Sequence, residues 1–381
     1  MRAAARHKEV LEARGWGAVE LVEADALKPE SLDVALAGIN VAFYLVHSMA
    51  AGRDFARLDI EAAENFAAAA ARAGVDRIVY LGGLIPDNPK SQHLASRAAT
   101  GDTLRKGSVP VTEIRAGMIV GPGSAAYEVI RDLVNYLPVM ITPRWVQSRS
   151  TPIALENLIA YLVGVADLPE TAGKTYDVGG PEVLTYEQLM RQYGELVDRR
   201  FALLSLPVLT PRLSSYWLKF VTSVPTNVAR ALIDGLEHDV IADDREIRRL
   251  IPLQLLDFKS SVRAAMEAEQ ANAVVAHWVE GSMACRDFHP EYGFYAKKAG
   301  DEATSNASAA ELWRQVTAFG GDEGYYYADT LWLVRRWLDW LVGGPSFRRK
   351  RRHPTDLRVG DVVDSWRVIA LEPEQRLTLL M

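Results

Sequence analysis

Within HLASR (93–97) a histidine and an arginine stand four residues apart, one turn of an α-helix, so His93 and Arg97 share a face. An imidazole exchanges protons near neutral pH, whereas a guanidinium stays charged and only donates hydrogen bonds. The pair therefore couples a proton-transfer group to a group that binds hydroxyls or anions, and Ser91 or Ser96 could add a hydroxyl beside it. A second histidine lies in FYLVHSM, where Val46, His47 and Ser48 follow a strand-like run. Metal chemistry is not expected. His277, His289 and His353 are scattered without ligand spacing, and the lone Cys285 can build neither an internal disulfide nor a Cys-type zinc site.

These side chains need a scaffold, and the pattern from residue 19 to about 180 supplies one. VELVEAD (19–25), VAFYLVHSM (41–49), VDRIVYLGGL (75–84) and VPVTEIRAGMIVG (109–121) read as strands. Between them PESLDVALAG, FARLDIEAAENFAAAAARAG and SQHLASRAATGDTLRKG read as helices, and SAAYEVIRDLVNYLP as another after the last strand. This alternation predicts an α/β fold, a Rossmann-like doubly wound parallel sheet. Ligands of such sheets bind beyond the carboxyl ends of the strands. Asp25, Val46, His47, Ser48, Gly82, Gly83 and Gly117 all lie at such ends. The glycines would admit close backbone approach, and Asp25 either meets a ligand or caps the next helix.

At 381 residues the chain has room for more than one domain. The expected division is 1–205 for the doubly wound domain, 206–260 for a helical linker or lid, and 261–381 for a partial α+β domain. Within the last, ANAVVAHWVEGSMACRDF reads as strand-like, ASAAELWRQVTAFGG as a capped helix, and the end of the chain as two or three strands. Trp313, Tyr325, Tyr326, Tyr327, Trp332, Trp337 and Trp340 form an aromatic-rich stretch that serves either a core or an apolar ligand. A formal net charge of −6 argues against nucleic-acid binding. No run of roughly 18 uncharged apolar residues marks a membrane span, so the expected location is the cytoplasm. The one basic run, FRRKRRHP (347–354), is either a solvated loop or a peripheral contact with phosphates or lipid headgroups.

From the N-terminus to about residue 200, VEADALKPESLDVALAGINVAFYLVHSM, RIVYLGGL, IRAGMIVGPGS and YDVGGPEVLTYEQLM resemble the atypical and extended short-chain dehydrogenase/reductase family, relatives of epimerases and NmrA-like proteins. ELWRQVTAFGGDEGYYYADTLWLVRRWLDWLVGGP and LRVGDVVDSWRVIALEP resemble a bacterial subgroup in which a domain of unknown function follows, similar to helix-grip domains of polyketide cyclases and lipid-transfer proteins. The resemblance implies NADP, or NAD, as cofactor. It places Asp25 at the adenine, Arg2 and Arg6 near a 2′-phosphate, residues 46–48 beside the nicotinamide ribose, and Arg115, Gly117, Gly121 and Pro122 at the nicotinamide end. In the family the helix of HLASR carries Tyr-x-x-x-Lys; here His93 and Arg97 occupy those positions, and Gly82-Gly83 replaces the family's serine. His93 is then the candidate general acid/base and Arg97 the candidate ribose-binding group.

The family also has a first strand and a glycine-rich turn ahead of the residues matched by MRAAAR. The expectation is therefore a fragment cut at both ends, with a gap between residues 1–6 and the rest of the sheet. Two functions follow from these residues: an oxidoreductase on an apolar carbonyl or quinone-like compound, or a non-catalytic NADP(H)-binding sensor or assembly protein. A carrier of lipid or another apolar ligand, acting through the C-terminal domain, is the third.

Overall fold

The structure, a computed structural model, describes residues 1–12, 16–48, 54–86, 91–142, 144–205, 235, 238–270, 302–320, 324, 326, 329–341, 356–363 and 366–380. Strand and helix alternate from the start: β1 (Arg2–Ala5), α1 (Lys8–Glu12), β2 (Glu20–Glu23), α2 (Pro29–Leu36), β3 (Val41–Tyr44), α3 (Phe55–Ala73), β4 (Arg77–Gly83), α4 (Gln92–Arg105) and β5 (Val111–Ala116). There follow β6 (Ile119–Val120), α5 (Ala125–Tyr136), β7 (Val139–Thr142), β8 (Arg149–Ser150), β9 (Ile153–Ala154), α6 (Leu155–Asp167), β10 (Thr175–Val178), β11 (Leu184–Thr185), α7 (Tyr186–Leu196) and β12 (Ala202–Ser205). Later come α8 (Arg245–Leu250), α9 (Phe258–Gln270), α10 (Ala309–Ala318), α11 (Asp329–Leu341), β13 (Val362–Val363), β14 (Trp366–Glu372) and β15 (Arg376–Leu380).

The central sheet has the order β10-β5-β4-β3, every pair parallel. A strand inside such a sheet buries both faces, which is why RIVYLGG is almost continuously apolar. Alternate residues divide between two cores. Ile78 and Tyr80 pack with α2 and α3, whereas Val79 packs with Leu158, Tyr161 and Val165 of α6. Each of these three β4 side chains is fully buried, and burial of one contributes about 1.5–3 kcal/mol. The alanines of α3 let that helix lie close to its neighbours, and Gly74, at φ +70°, ends it by donating to Ala70 and Ala71. The Rossmann-like expectation holds for this layered arrangement.

The sheet stands in two hydrogen-bonded pieces. Among the described residues β1 pairs only with β2, in parallel, and β3 forms an edge of the four-stranded sheet. The two pieces still share a core, in which Ala24 and Val22 meet Leu32 and Leu36 of α2 and Tyr44 of β3.

In RSTPIALENL a proline at 152 leaves short strands β8 and β9 before α6 begins. The domain division differs from the sequence expectation. The expected linker boundary at 260/261 falls inside α9, and residues 238–270 pack onto the first domain. Val240 bridges to Ser150, Ile247 enters the α6 core, and Phe258, Val262 and Ala265 join the core of α5 and α7. At the C-terminal end, α10 begins with a capping box between Ser308 and Glu311, and β13-β14-β15 form an antiparallel sheet. Trp337 and Tyr326 are exposed there rather than packed in a core. Tyr325, Tyr327 and the stretches 206–225, 271–288 and 347–354 lie outside the described residues.

Candidate functional site

The carboxyl ends of β3, β4, β5 and β10 share one edge of the sheet, so the loops after them converge there. His47 enters from the loop after β3, and His93 from the first turn of α4, reached from the loop after β4. They meet: His47 Nε2 and His93 Nδ1 are 3.2 Å apart, a hydrogen bond, with ring centroids 5.0 Å apart. On its other side His47 Nδ1 lies 2.8 Å from Asp59 Oδ2. Asp59, on α3, is buried, and it also accepts from the Ser48 backbone N–H at 2.7 Å and from Ser96 Oγ at 2.9 Å. Elements far apart in the chain thus supply a line of Asp59, His47 and His93.

The protonation states follow from these surroundings. Burial alone would raise the Asp59 carboxyl, but hydrogen bonds from His47, Ser48 and Ser96 and the charge of His47 outweigh it and hold it below the usual range. Being ionised, it only accepts, so His47 Nδ1 carries the proton between them. Burial, with His47 and the Arg97 cation nearby, lowers the His93 pKa to about 3. His93 is a neutral imidazole at physiological pH.

That shift has a measurable consequence. In the unfolded chain His93 takes up its proton near the ordinary 6.5, but in the folded chain only near 3. Between these values the unfolded state binds more protons, so acidification costs stability, by at most about 1.4 kcal/mol per pH unit. Asp59 acts in the same sense, since the stability its lowered pKa confers is lost as pH falls through the folded value. His93→Gln is expected to flatten the loss between pH 6.5 and 4 in urea unfolding. An unchanged slope would contradict the buried neutral histidine.

The other predicted residues divide into those at the edge and those held inside the protein. Arg97 donates to the Leu81 carbonyl, its guanidinium lies 5.4 Å from the Tyr80 ring centre, and Tyr80 Oη donates back to the Arg97 carbonyl at 3.0 Å. Arg2 Nη1 donates to the carbonyls of Ala35 and Ala37 at 2.9 and 2.8 Å, satisfying the end of α2, and its Nε pairs with Glu20. Both guanidiniums are committed to the fold. Arg6 follows β1 exposed, with no ion pair among the described residues. Asp25 does not cap α2: its Oδ1 accepts from Leu27 N at 3.0 Å, fixing the turn after β2. Val46 is exposed and Ser48 half-buried at the site edge.

Gly82 has a packing reason for its identity. A Cβ there would sit 2.5 Å from Oε1 of Glu113, a buried carboxylate paired with Arg105. A serine at 82 has no room while Glu113 stands beneath it. Gly83 has space, with Leu94 at 3.8 Å, and Gly117 faces Leu84 and Ser150. Gly121 admits Leu155 of α6, and Arg115 pairs with Asp177 on the neighbouring strand. Among the described residues there is no group of three or more metal-ligating side chains and no helix long and apolar enough to cross a membrane.

A parallel sheet with helices on both faces and a polar cluster at its carboxyl edge defines a Rossmann-like fold. Comparison with known proteins agrees: residues 1–132 match the family described as NAD(P)H-binding, and residues 299–380 match a protein family of unknown function, DUF2867. The second match brings no helix-grip description, so that part of the sequence reading is without support. A (4-alkanoyl-5-oxo-2,5-dihydrofuran-3-yl)methyl phosphate reductase of Streptomyces griseus is 27% identical over 248 residues, 62% of this chain and 78% of the relative. Among solved structures, a Citrobacter sp. triphenylmethane reductase complexed with NADP(H) aligns with TM-score 0.56 at 20% identity, over 69% of this chain and 90% of that one. An NADPH-dependent quinone oxidoreductase of Escherichia coli, complexed with NADPH, aligns with TM-score 0.57 at 19% identity, over 69% and 89%. The N-terminal part of the chain thus matches an NAD(P)H-binding family over residues 1–132 and is Rossmann-like by fold.

Proposed function

We propose that this protein is an NADP(H)-dependent oxidoreductase that reduces an apolar carbonyl or quinone-like small molecule. The observation that carries the reading is the His47–His93 pair, anchored on buried Asp59 at the carboxyl edge of the parallel sheet. Reductases among the similar proteins, with NADPH or NADP(H) in two of the structures, support the same reaction class.

The cofactor would supply the hydride. Toward it, the residues that fit are Asp25 on the adenine side, Arg6 for a 2′-phosphate, and the backbone of residues 46–48, Gly83 and Gly117 on the nicotinamide side. The polar atoms offered there suit it: Asp25 keeps Oδ2 without a hydrogen bond among the described residues, and Gly83 and Gly117 present backbone without a side chain. His93 holds the proton that the reduced oxygen requires. Titration with NADPH and NADH, then NADPH oxidation at 340 nm over a panel of aldehydes and quinones, tests this. The expectation is tighter binding of NADPH and turnover of at least one panel member.

A second reading, an NADP(H)-binding sensor without turnover, is favoured by one observation. Arg97, at the position of the family's lysine, is bound to the Leu81 carbonyl and stacked on Tyr80. Saturable NADPH binding with no oxidation across the panel would select it.

A further inference from the structure

We propose that Asp59, His47 and His93 form a proton relay, with His93 delivering protons at the site and His47, held against Asp59, storing them. Its catalytic role rests on the reductase reading; its proton arrangement does not.

Asp59 already accepts from Ser48 and Ser96, and its remaining strong contact is His47 Nδ1, which must donate. His47 Nε2 then faces His93 Nδ1 across 3.2 Å, a contact that needs one proton between two nitrogens. His93 Nε2 has no hydrogen bond among the described residues, so it is the end of the line open to a ligand.

Two arrangements fill this geometry. In the charged one, His47 carries protons on both nitrogens, Nε2–H donates to His93 Nδ1, and His93 is protonated at Nε2. When an oxygen bearing developing negative charge takes the Nε2 proton of His93, the Nε2 proton of His47 moves to His93 Nδ1. The result is a neutral His47 with Nδ1–H on Asp59, a neutral His93 with bare Nε2, and a hydroxyl on the ligand. One proton has left the relay, and the charge lost is that of His47. Its return from water to His93 Nε2 reverses the shift and restores the charged state.

This explains how a histidine that does not itself hold positive charge could act in acid/base chemistry near neutrality. His93 would never be an imidazolium; it exchanges one proton for another while the charge rests beside the Asp59 carboxylate. The charged and titratable groups around the pair are consistent with that division. Asp59 on α3 favours a cation at His47, whereas Arg97 on α4 opposes one at His93. Tyr44 on β3 and Tyr80 on β4 are raised by burial, Tyr80 to about 12, and stay neutral.

Asp59 is thus a positioning residue, and its role can be read without turnover. In protein labelled with 15N-histidine, two-bond proton–nitrogen spectra from pH 8 to 5 report which ring nitrogens are protonated. The expected result is a protonated His47 Nδ1 and a neutral His93 throughout. Asp59→Asn, whose amide can donate to His47 Nδ1, should move the His47 proton to Nε2 and lower kcat by about 10²-fold with the NADPH affinity retained. A bare His47 Nδ1 in the wild type, or a cationic His93 within this range, would overturn the proposal. Should Asp59→Asn not fold, the wild-type spectra alone decide. A wild type with the expected spectra but no NADPH oxidation would remove the reductase reading and leave the relay standing.

Discussion

Replacing His93 by alanine is expected to lower the turnover of NADPH oxidation by about 10²- to 10⁴-fold, the range for loss of a general acid/base. The size follows from its place at the end of the hydrogen-bonded line. Without it His47 is left with Nε2 unpartnered, and Asp59 no longer has a path to the ligand. Binding of NADPH should persist, because His93 lies at one end of a cofactor that would also be held at Asp25 and at the backbone of residues 46–48, Gly83 and Gly117. His93→Gln is the companion variant: it keeps a hydrogen-bonding side chain but cannot pass a proton. Loss of turnover in both, with folded protein and retained NADPH affinity, is the expected pattern. Full activity of either variant would remove His93 from the chemistry.

The largest expected effect on stability is at Gly180, in the loop after β10. A Cβ at this position would lie 2.1 Å from the carbonyl oxygen of Pro152. That oxygen is backbone, and it is held, because Gly180 N donates to it at 3.0 Å. The opposite side is also occupied, with Arg248 Nη2 donating to the Gly180 carbonyl at 3.0 Å. The Pro152 carbonyl cannot give way as the tip of a flexible side chain would. Gly180→Ala should cost about 3 kcal/mol or more, at the upper end of overpacking penalties, and lower the urea midpoint accordingly. Gly173→Ala is the contrast. No atom would lie within 4 Å of its Cβ, and only its φ of +74° opposes the substitution, which costs about 1–2 kcal/mol. Equal midpoints for the two variants would contradict the close packing of the loop after β10 on Pro152.

Much of the fold is legible in the sequence because local pattern and tertiary role coincide. RIVYLGG is buried on both faces and reads so; FARLDIEAAENFAAAAARAG has a helical period and a glycine that stops it. The site is legible only in part. His47 and His93 stand out as residue types, but their meeting depends on two loops brought to one sheet edge, which no spacing encodes. Asp59 is missed for a different reason, since one carboxylate among several on a helix attracts no notice. A signal was present: Asp59 falls on the stripe of Phe55, Ala62, Ala63 and Phe66, the face α3 buries, and a carboxylate there needs partners. Arg2 and Arg97 show the reverse error. As exposed cations they suggest phosphate or ribose, whereas in the fold each reaches backbone carbonyls that no local pattern reveals. Gly82 likewise reads as room for a ligand, and the fold fills that room with Glu113.

Hydride donation from bound NADPH is read by isotope transfer from NADPH carrying deuterium at C4, on either face, to a quinone or aldehyde in the presence of the purified protein. One of the two labelled faces is expected to lose its deuterium to the acceptor, which an aldehyde's alcohol retains on carbon, and His93→Ala to slow the transfer by about 10²- to 10⁴-fold while the nucleotide still binds. NADPH that binds and keeps its deuterium with every acceptor, in the wild-type protein, would contradict that donation.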